Sequence, residues 1–236
     1  MILPDGLFAP PIAHRGLWRP GEAVENSLVA FEKACQAGYG IELDVRLSSD
    51  GQAVVFHDET LARLAGVEAA VGELTADELT SLPLQDGPDR IPTLEQTLRL
   101  VAGRAMMLVE IKAAPGAGDE LEARTAALLD HYDGPAAVIS FEAEALAWFA
   151  RRRPDRPRGL DAIWLDDEAA IAAFDAQRAE AQPHFLVLER EAAISSTAAG
   201  LRTQGLPVIA WTVRAPGEAS AIAERCDNFI FEGFTA

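Results

Sequence analysis

The chain has 236 residues, enough for a full-sized core and about the size of one α/β barrel. Its 37 acidic residues against 20 basic ones give a formal charge of −17, which disfavours a nucleic-acid surface or an anionic membrane patch. An anionic ligand therefore needs a local reversal of that field, and the two cysteines, Cys35 and Cys226, sit in apolar helical stretches that read as buried thiols of a reducing compartment.

The opening MILPDGLFAPP has no basic region, is broken by prolines and precedes no long apolar run. Neither a signal peptide nor a membrane span is expected, and a cytoplasmic location follows. Beyond it, short apolar strands alternate with helix-length amphipathic stretches, the pattern of parallel βα units. Strands are expected at 11–15, 41–47, 106–113, 137–141, 158–163, 185–189, 208–213 and 229–233, with 53–57 an antiparallel excursion after the second. Helices are expected at 27–37, 93–102, 120–132, 143–153, 168–181, 193–203 and 217–225. Eight such strands predict a single α/β domain over residues 1–236, a closed (β/α)8 TIM barrel rather than an open doubly wound sheet. The sequence stops directly after the eighth strand, so that flank is expected to be open, covered by N-terminal residues or met by a partner. Residues 59–90 read as a short insertion over the strand ends, with one helix near 76–82 capped by Thr75. The basic run RRRPDRPR, 151–158, falls where a helix ends, which favours cations, and is read as structural.

A barrel of this kind builds its site at the C-terminal ends of the strands, and the polar residues fall there. Strand one ends in IAHRG, which brings His14 and Arg15 to the top. In IELDVRLSSDGQAVVFHD, Glu42 and Asp44 stand at i and i+2 and share a face. Asp50-Gly51 reads as a two-residue hairpin loop that pairs Asp44 with His57. Strand three ends in Glu110 and Lys112, strand seven carries Trp211 and strand eight Glu232. Lys112 is one of only two lysines, Lys33 being the other, in a chain with eighteen arginines, which argues for a required lysine. Three carboxylates in one pocket repel unless something compensates, and a hard divalent cation, Mg²⁺ or Ca²⁺, suits all-oxygen ligation by Glu42, Asp44 and Glu110. With Arg15 and Lys112 included, such a site nets about +1, complementary to a phosphodiester. Asn26 could cap the first helix or reach substrate or metal, and Trp211 could pack on a ligand or fill the barrel.

The segments HRG, ENS, IELDV, VVFHD, PTLEQTL, VEIK and WTV, in this order from Ile12 to Gly233, resemble the glycerophosphodiester phosphodiesterase family. The resemblance implies a TIM barrel, one divalent cation, and hydrolysis of a small-molecule glycerophosphodiester to glycerol 3-phosphate and an alcohol. It implies that His14 and His57 are the acid/base pair, Glu42, Asp44 and Glu110 the metal ligands, and Arg15 and Lys112 the phosphate-binding groups; Trp211 and Asn26 stay candidate substrate contacts on their position alone. The attacking oxygen is either the neighbouring glycerol hydroxyl, through a cyclic phosphate, or water. Where the family usually has Pro-Glu-Asn-Thr this chain has Val24-Glu25-Asn26-Ser27, and Glu232 stands where an aspartate is common. Two other classes share these residues: a lipid-directed phosphodiesterase of the lysophospholipase D kind, which calls for an exposed apolar rim that 59–90 lacks, and a non-catalytic barrel that binds a phosphorylated ligand.

Overall fold

Parallel strands buried on both faces read as near-continuous apolar runs, and here they close on themselves. A computed structural model of the chain describes residues 3–4, 6–85, 87–113, 118–163, 165 and 167–236. Its strands are β1 (Ile12–Ala13), β2 (Gly40–Leu47), β3 (Ala53–Val55), β4 (Met107–Ile111), β5 (Ala136–Ser140), β6 (Arg158–Ala162), β7 (Phe185–Glu189), β8 (Val208–Val213) and β9 (Asn228–Phe231). All except β3 are parallel to their neighbours, in the order β1-β9-β8-β7-β6-β5-β4-β2, and β1 pairs with β2 to close the eight-stranded barrel. The helices that return the chain are α1 (Leu28–Ala37), α4 (Leu94–Val101), α5 (Glu120–Leu129), α6 (Ala143–Arg152), α7 (Glu168–Ala181), α8 (Arg190–Ala193) with α9 (Ser196–Thr203), and α10 (Pro216–Ala223). Among the described residues no helix is long and apolar enough to cross a membrane.

The insertion holds α2 (Ala62–Ala65), a 3₁₀ turn at Val71–Glu73 and α3 (Ala76–Ser81), where the sequence suggested one helix. Thr75 caps α3 as expected, accepting from Glu78 N. Asp86 lies outside the described residues. Phe56, Leu61, Leu64, Val71, Leu79, Leu84 and Ile91 give this segment an apolar cluster of its own beside the barrel.

The hairpin differs from the expected register by one residue. Val45 pairs with Val55 and Leu47 with Ala53, and Phe56 N donates to Asp44 O at 3.0 Å, so Phe56 rather than His57 lies across from Asp44. The loop is Ser49-Asp50-Gly51, closed by Ser48 N donating to Gln52 O at 2.9 Å, with Gly51 at φ +75. A three-residue loop of this type asks for a left-handed residue only at its end, where glycine stands. Asp50 stays free to accept from Ser48 Oγ at 2.6 Å and from Ala76 N at 2.9 Å, which ties the loop to α3.

Ile12, Leu108, Ala137, Ile139, Phe185, Val187, Ile209 and Ile230 point inward and fill the barrel, and Leu7 of the N-terminal segment packs among them. Asn228 Nδ2 donates to Leu7 O and Pro10 O, at 3.0 and 2.9 Å, and fixes that segment where β9 begins. The outer flank of β9 is closed by aromatic side chains. Phe231, 1% exposed, packs edge-on against Tyr39 at 4.8 Å between centroids and against Phe234 at 5.3 Å.

Gly159 of β6 faces the Phe185 ring, which a Cβ there would meet at 2.3 Å. Gly159→Ala should lower the unfolding free energy by about 1 to 3 kcal/mol, because a buried ring at the barrel's centre has no room to retreat. Urea melts of both proteins measure this, and an unchanged midpoint would contradict that packing account.

Candidate active site

The site is set by how abruptly the chain leaves β1. Arg15 takes φ +56 and Gly16 φ +83, and a Cβ on Gly16 would meet Ala30 at 2.9 Å, so the turn lies hard against α1. A left-handed arginine costs on the order of 1 to 2 kcal/mol. It is held by Arg15 N donating to Glu42 Oε2 at 2.9 Å and by Asn26 N donating to Arg15 O at 2.9 Å. Because β1 is so short, the upper edge of β2 is left for β3.

Asn26 does not cap α1. Ser27 does, accepting from Ala30 N, while Asn26, itself at φ +57, turns inward and donates from Nδ2 to Asp44 Oδ2 at 2.7 Å. Asparagine tolerates the left-handed region better than most residues, which suits this position.

Glu42 and Asp44 of β2 and Glu110 of β4 are buried, and each offers a carboxylate oxygen within 4.8 Å of the other two. Asp44 pairs with Glu110 in the ladder, so the convergence is a property of the register. Burial, then Asp44 and Glu110, push the Glu42 carboxyl well above its usual range, against Arg15. Burial and Asp44 push Glu110 up to about 7, against Lys112. Asp44 is also buried, yet Lys112 and Arg15 hold it below its ordinary value. Glu42 Oε1 is buried without a hydrogen-bond partner among the described residues. A buried acceptor with no donor, in a set of hard oxygen ligands short of positive charge, fits a divalent cation.

The expected phosphate-binding cations are present and already paired. Lys112 Nζ lies 2.6 Å from Glu110 Oε1 and 3.2 Å from Asp44 Oδ1, just beyond the end of β4. Arg15 Nη1 donates to Glu25 Oε1 at 2.6 Å, and its Nε is 3.4 Å from Asp44 Oδ2. Glu25 in turn accepts from Arg63 of the insertion at 2.8 and 3.0 Å, and Arg63 Nε donates to Asp58 Oδ2 at 2.6 Å.

Both histidines reach the site despite the shifted hairpin register. His14 Nδ1 is 2.6 Å from Glu232 Oε2, and Nε2 is 3.9 Å from Glu42 Oε2. Glu232 is partly buried, which raises it, but its bonds to His14 and Arg214 bring it down to about 2. His57 stands after the end of β3, at a bend that frees it from strand alternation, with Nδ1 2.8 Å from Asp58 Oδ1. Burial pushes it below the ordinary histidine value, against the pull of Asp44.

These groups surround a cavity of about 70 Å³. It is lined by His14, Arg15, Glu42, His57, Glu110 and Lys112 and by Ile139, Phe141, Trp211 and Ile230, with one further acid, Asp161. Phe141 and Trp211 meet edge-on at 5.5 Å. Sequence patterns alone do not single out Glu25, Arg63 or Asp161. Glu25 carries a signal, standing beside Asn26 in the ENS segment, and Asp161 carries only its inward phase on β6.

The model of the glycerophosphoryl diester phosphodiesterase family matches residues 14–234. A glycerophosphodiester phosphodiesterase of Bacillus altitudinis is 35% identical over 153 residues, 60% of this chain and 62% of that one. One of Caldanaerobacter subterraneus is 36% identical over 122 residues, 47% of this chain and 49% of that one. The chain thus matches less than two thirds of the length of these relatives. A phosphodiesterase of Oleispira antarctica, solved in complex with the product sn-glycerol-3-phosphate, superposes with a TM-score of 0.84 at 24% identity, over 95% of this chain and 93% of that one. A glycerophosphodiester phosphodiesterase of Thermotoga maritima does so with 0.73 at 28% identity, over 93% and 92%.

Proposed function

Because the chain belongs to the glycerophosphoryl diester phosphodiesterase family, we propose that it hydrolyses glycerophosphodiesters to glycerol 3-phosphate and an alcohol. The observation that carries this reading is the buried triad Glu42, Asp44 and Glu110 set between Arg15 and Lys112 on a cavity that His14 and His57 also line. The triad would hold one divalent cation, Mg²⁺ or Ca²⁺, which when bound supplies positive charge to the phosphoryl oxygens as negative charge builds there. Asn26 orients Asp44 within that triad rather than touching substrate.

Arg15 and Lys112 take the remaining phosphoryl oxygens and fix the diester for in-line displacement. His57, kept neutral at working pH by its burial, takes the proton of the attacking oxygen. His14 gives a proton to the departing alkoxide, its ring held by Glu232. The faces of Trp211 and Phe141 pack against the carbon atoms of the glycerol.

Release of glycerol 3-phosphate from glycerophosphocholine and glycerophosphoethanolamine, with Mg²⁺, with Ca²⁺ and with a chelator, tests this. Metal-dependent release is expected. A folded protein that binds glycerol 3-phosphate and releases none under any metal would be a binding barrel instead.

A further inference from the structure

Asp161 lines the cavity outside the three clustered carboxylates, and burial, with Glu110 nearby, pushes its carboxyl well above the usual range. It points inward from β6, in register with Val187 of β7, and is 4% exposed. Its Oδ2 is buried without a hydrogen-bond partner among the described residues. Ile139, Phe141 and Trp211 line the cavity with it. A buried carboxyl oxygen without a donor opposes folding, whereas an aliphatic side chain there would pack on Ile139 and Val187 without that cost. Such a group makes sense where a ligand supplies the missing hydrogen-bond partner.

The ligand's chemistry is constrained from both sides. The phosphoryl oxygens are drawn to Arg15 and Lys112, which line the same cavity. What a glycerophosphodiester can present beyond its phosphate is carbon, which suits Trp211 and Phe141, and hydroxyl groups, which suit Asp161. We infer that Asp161 is the specificity residue of this site: its carboxyl receives the terminal hydroxyl of the glycerol, so that diesters with a free glycerol end are chosen over those acylated or deoxygenated there. This rests on the phosphodiesterase reading and sharpens it. A polar group buried to receive a hydroxyl is left unpaired by an analogue that lacks one, and such sites reject the analogue far more strongly than apolar pockets reject a changed methylene. An acyl ester at the same oxygen offers no proton.

The test compares sn-glycero-3-phosphocholine with its 1-deoxy analogue, which keeps the hydroxyl next to phosphorus, and with a short-chain 1-acyl ester. In all three the departing alcohol is choline, whose quaternary nitrogen has no N–H, so differences arise at the glycerol. Choline release should favour the free glycerol end by about 10³-fold or more in kcat/KM. In Asp161→Leu that ratio should fall to about 10 or less through loss on glycerophosphocholine, while Asp161→Asn, whose amide oxygen still accepts, should keep most of it. A wild-type protein that treats the free and deoxy substrates alike, or a leucine variant that still discriminates, would overturn the assignment. Calorimetry of glycerol 3-phosphate against its 1-deoxy analogue measures the same preference without turnover. Equal affinities refute the role of Asp161, whereas a preference for glycerol 3-phosphate in a protein that releases no choline would uphold it while refuting the hydrolysis.

Discussion

His14→Ala should lower choline release from glycerophosphocholine by about 10³-fold, within the range that a positioned proton donor supplies, while the fold and the affinity for Mg²⁺ or Ca²⁺ persist. The expectation rests on where the ring sits. Nδ1 is engaged with Glu232, so Nε2 is the atom left to serve the cavity, and the ring is not one of the three clustered carboxylates. Choline leaves as a basic alkoxide and needs the proton; a p-nitrophenolate does not. The corresponding p-nitrophenyl ester should therefore lose less than about 10-fold in the same variant, since its leaving group departs unaided. Equal losses on both esters would remove the acid role from His14, and near-normal choline release would remove any role. Glu232→Gln, which replaces an acceptor by an amide that can also donate, should lose less than His14→Ala on the choline ester and nothing on the nitrophenyl one. The acid limb of the pH profile should survive in both variants and lie below 6.5, because burial holds His57 down and its neutral form persists to lower pH.

The residues that converge were readable from sequence because strand periodicity is rigid. Glu42 and Asp44 stand two apart on β2 and Glu110 lies opposite Asp44 on β4, so strand phase fixes all three, while Lys112 follows just beyond the end of β4. What the sequence did not carry depended on partners distant along the chain. The hairpin register turned on Asp50, whose side chain is claimed by Ala76 N of the insertion. Glu25 acquires its place through Arg63, 38 residues further on, and no local pattern announces that pair. Asn26 looked like a cap because asparagine commonly caps, but Ser27 follows it and does so instead, which frees Asn26 for Asp44. Asp161 is one acid in an apolar strand, and only the barrel's closure shows which cavity it faces.

Asp44→Asn is expected to abolish metal binding and with it turnover, by about 10³-fold or more, since the charge stabilisation a bound cation gives amounts to several kcal/mol. Of the three carboxylates, Asp44 is the one its surroundings keep ionised, through Lys112, Arg15 and the bond from Asn26. Glu42 and Glu110 are held toward their neutral forms. The metal-free protein should therefore behave in a distinctive way with pH. Glu110 has its folded value raised from 4.5 to about 7, so the stability it contributes is present below 4.5 and is lost as pH rises through about 7. In chelator, denaturant midpoints should fall over that window; with saturating metal the fall should shrink, because the cation favours the ionised form. The same linkage requires that metal binding near pH 6 expel a proton, which calorimetry in buffers of different ionisation enthalpy detects. Binding without proton release at that pH would mean that Glu110 is already ionised in the free protein, and that the triad is preformed for its cation rather than completed by it.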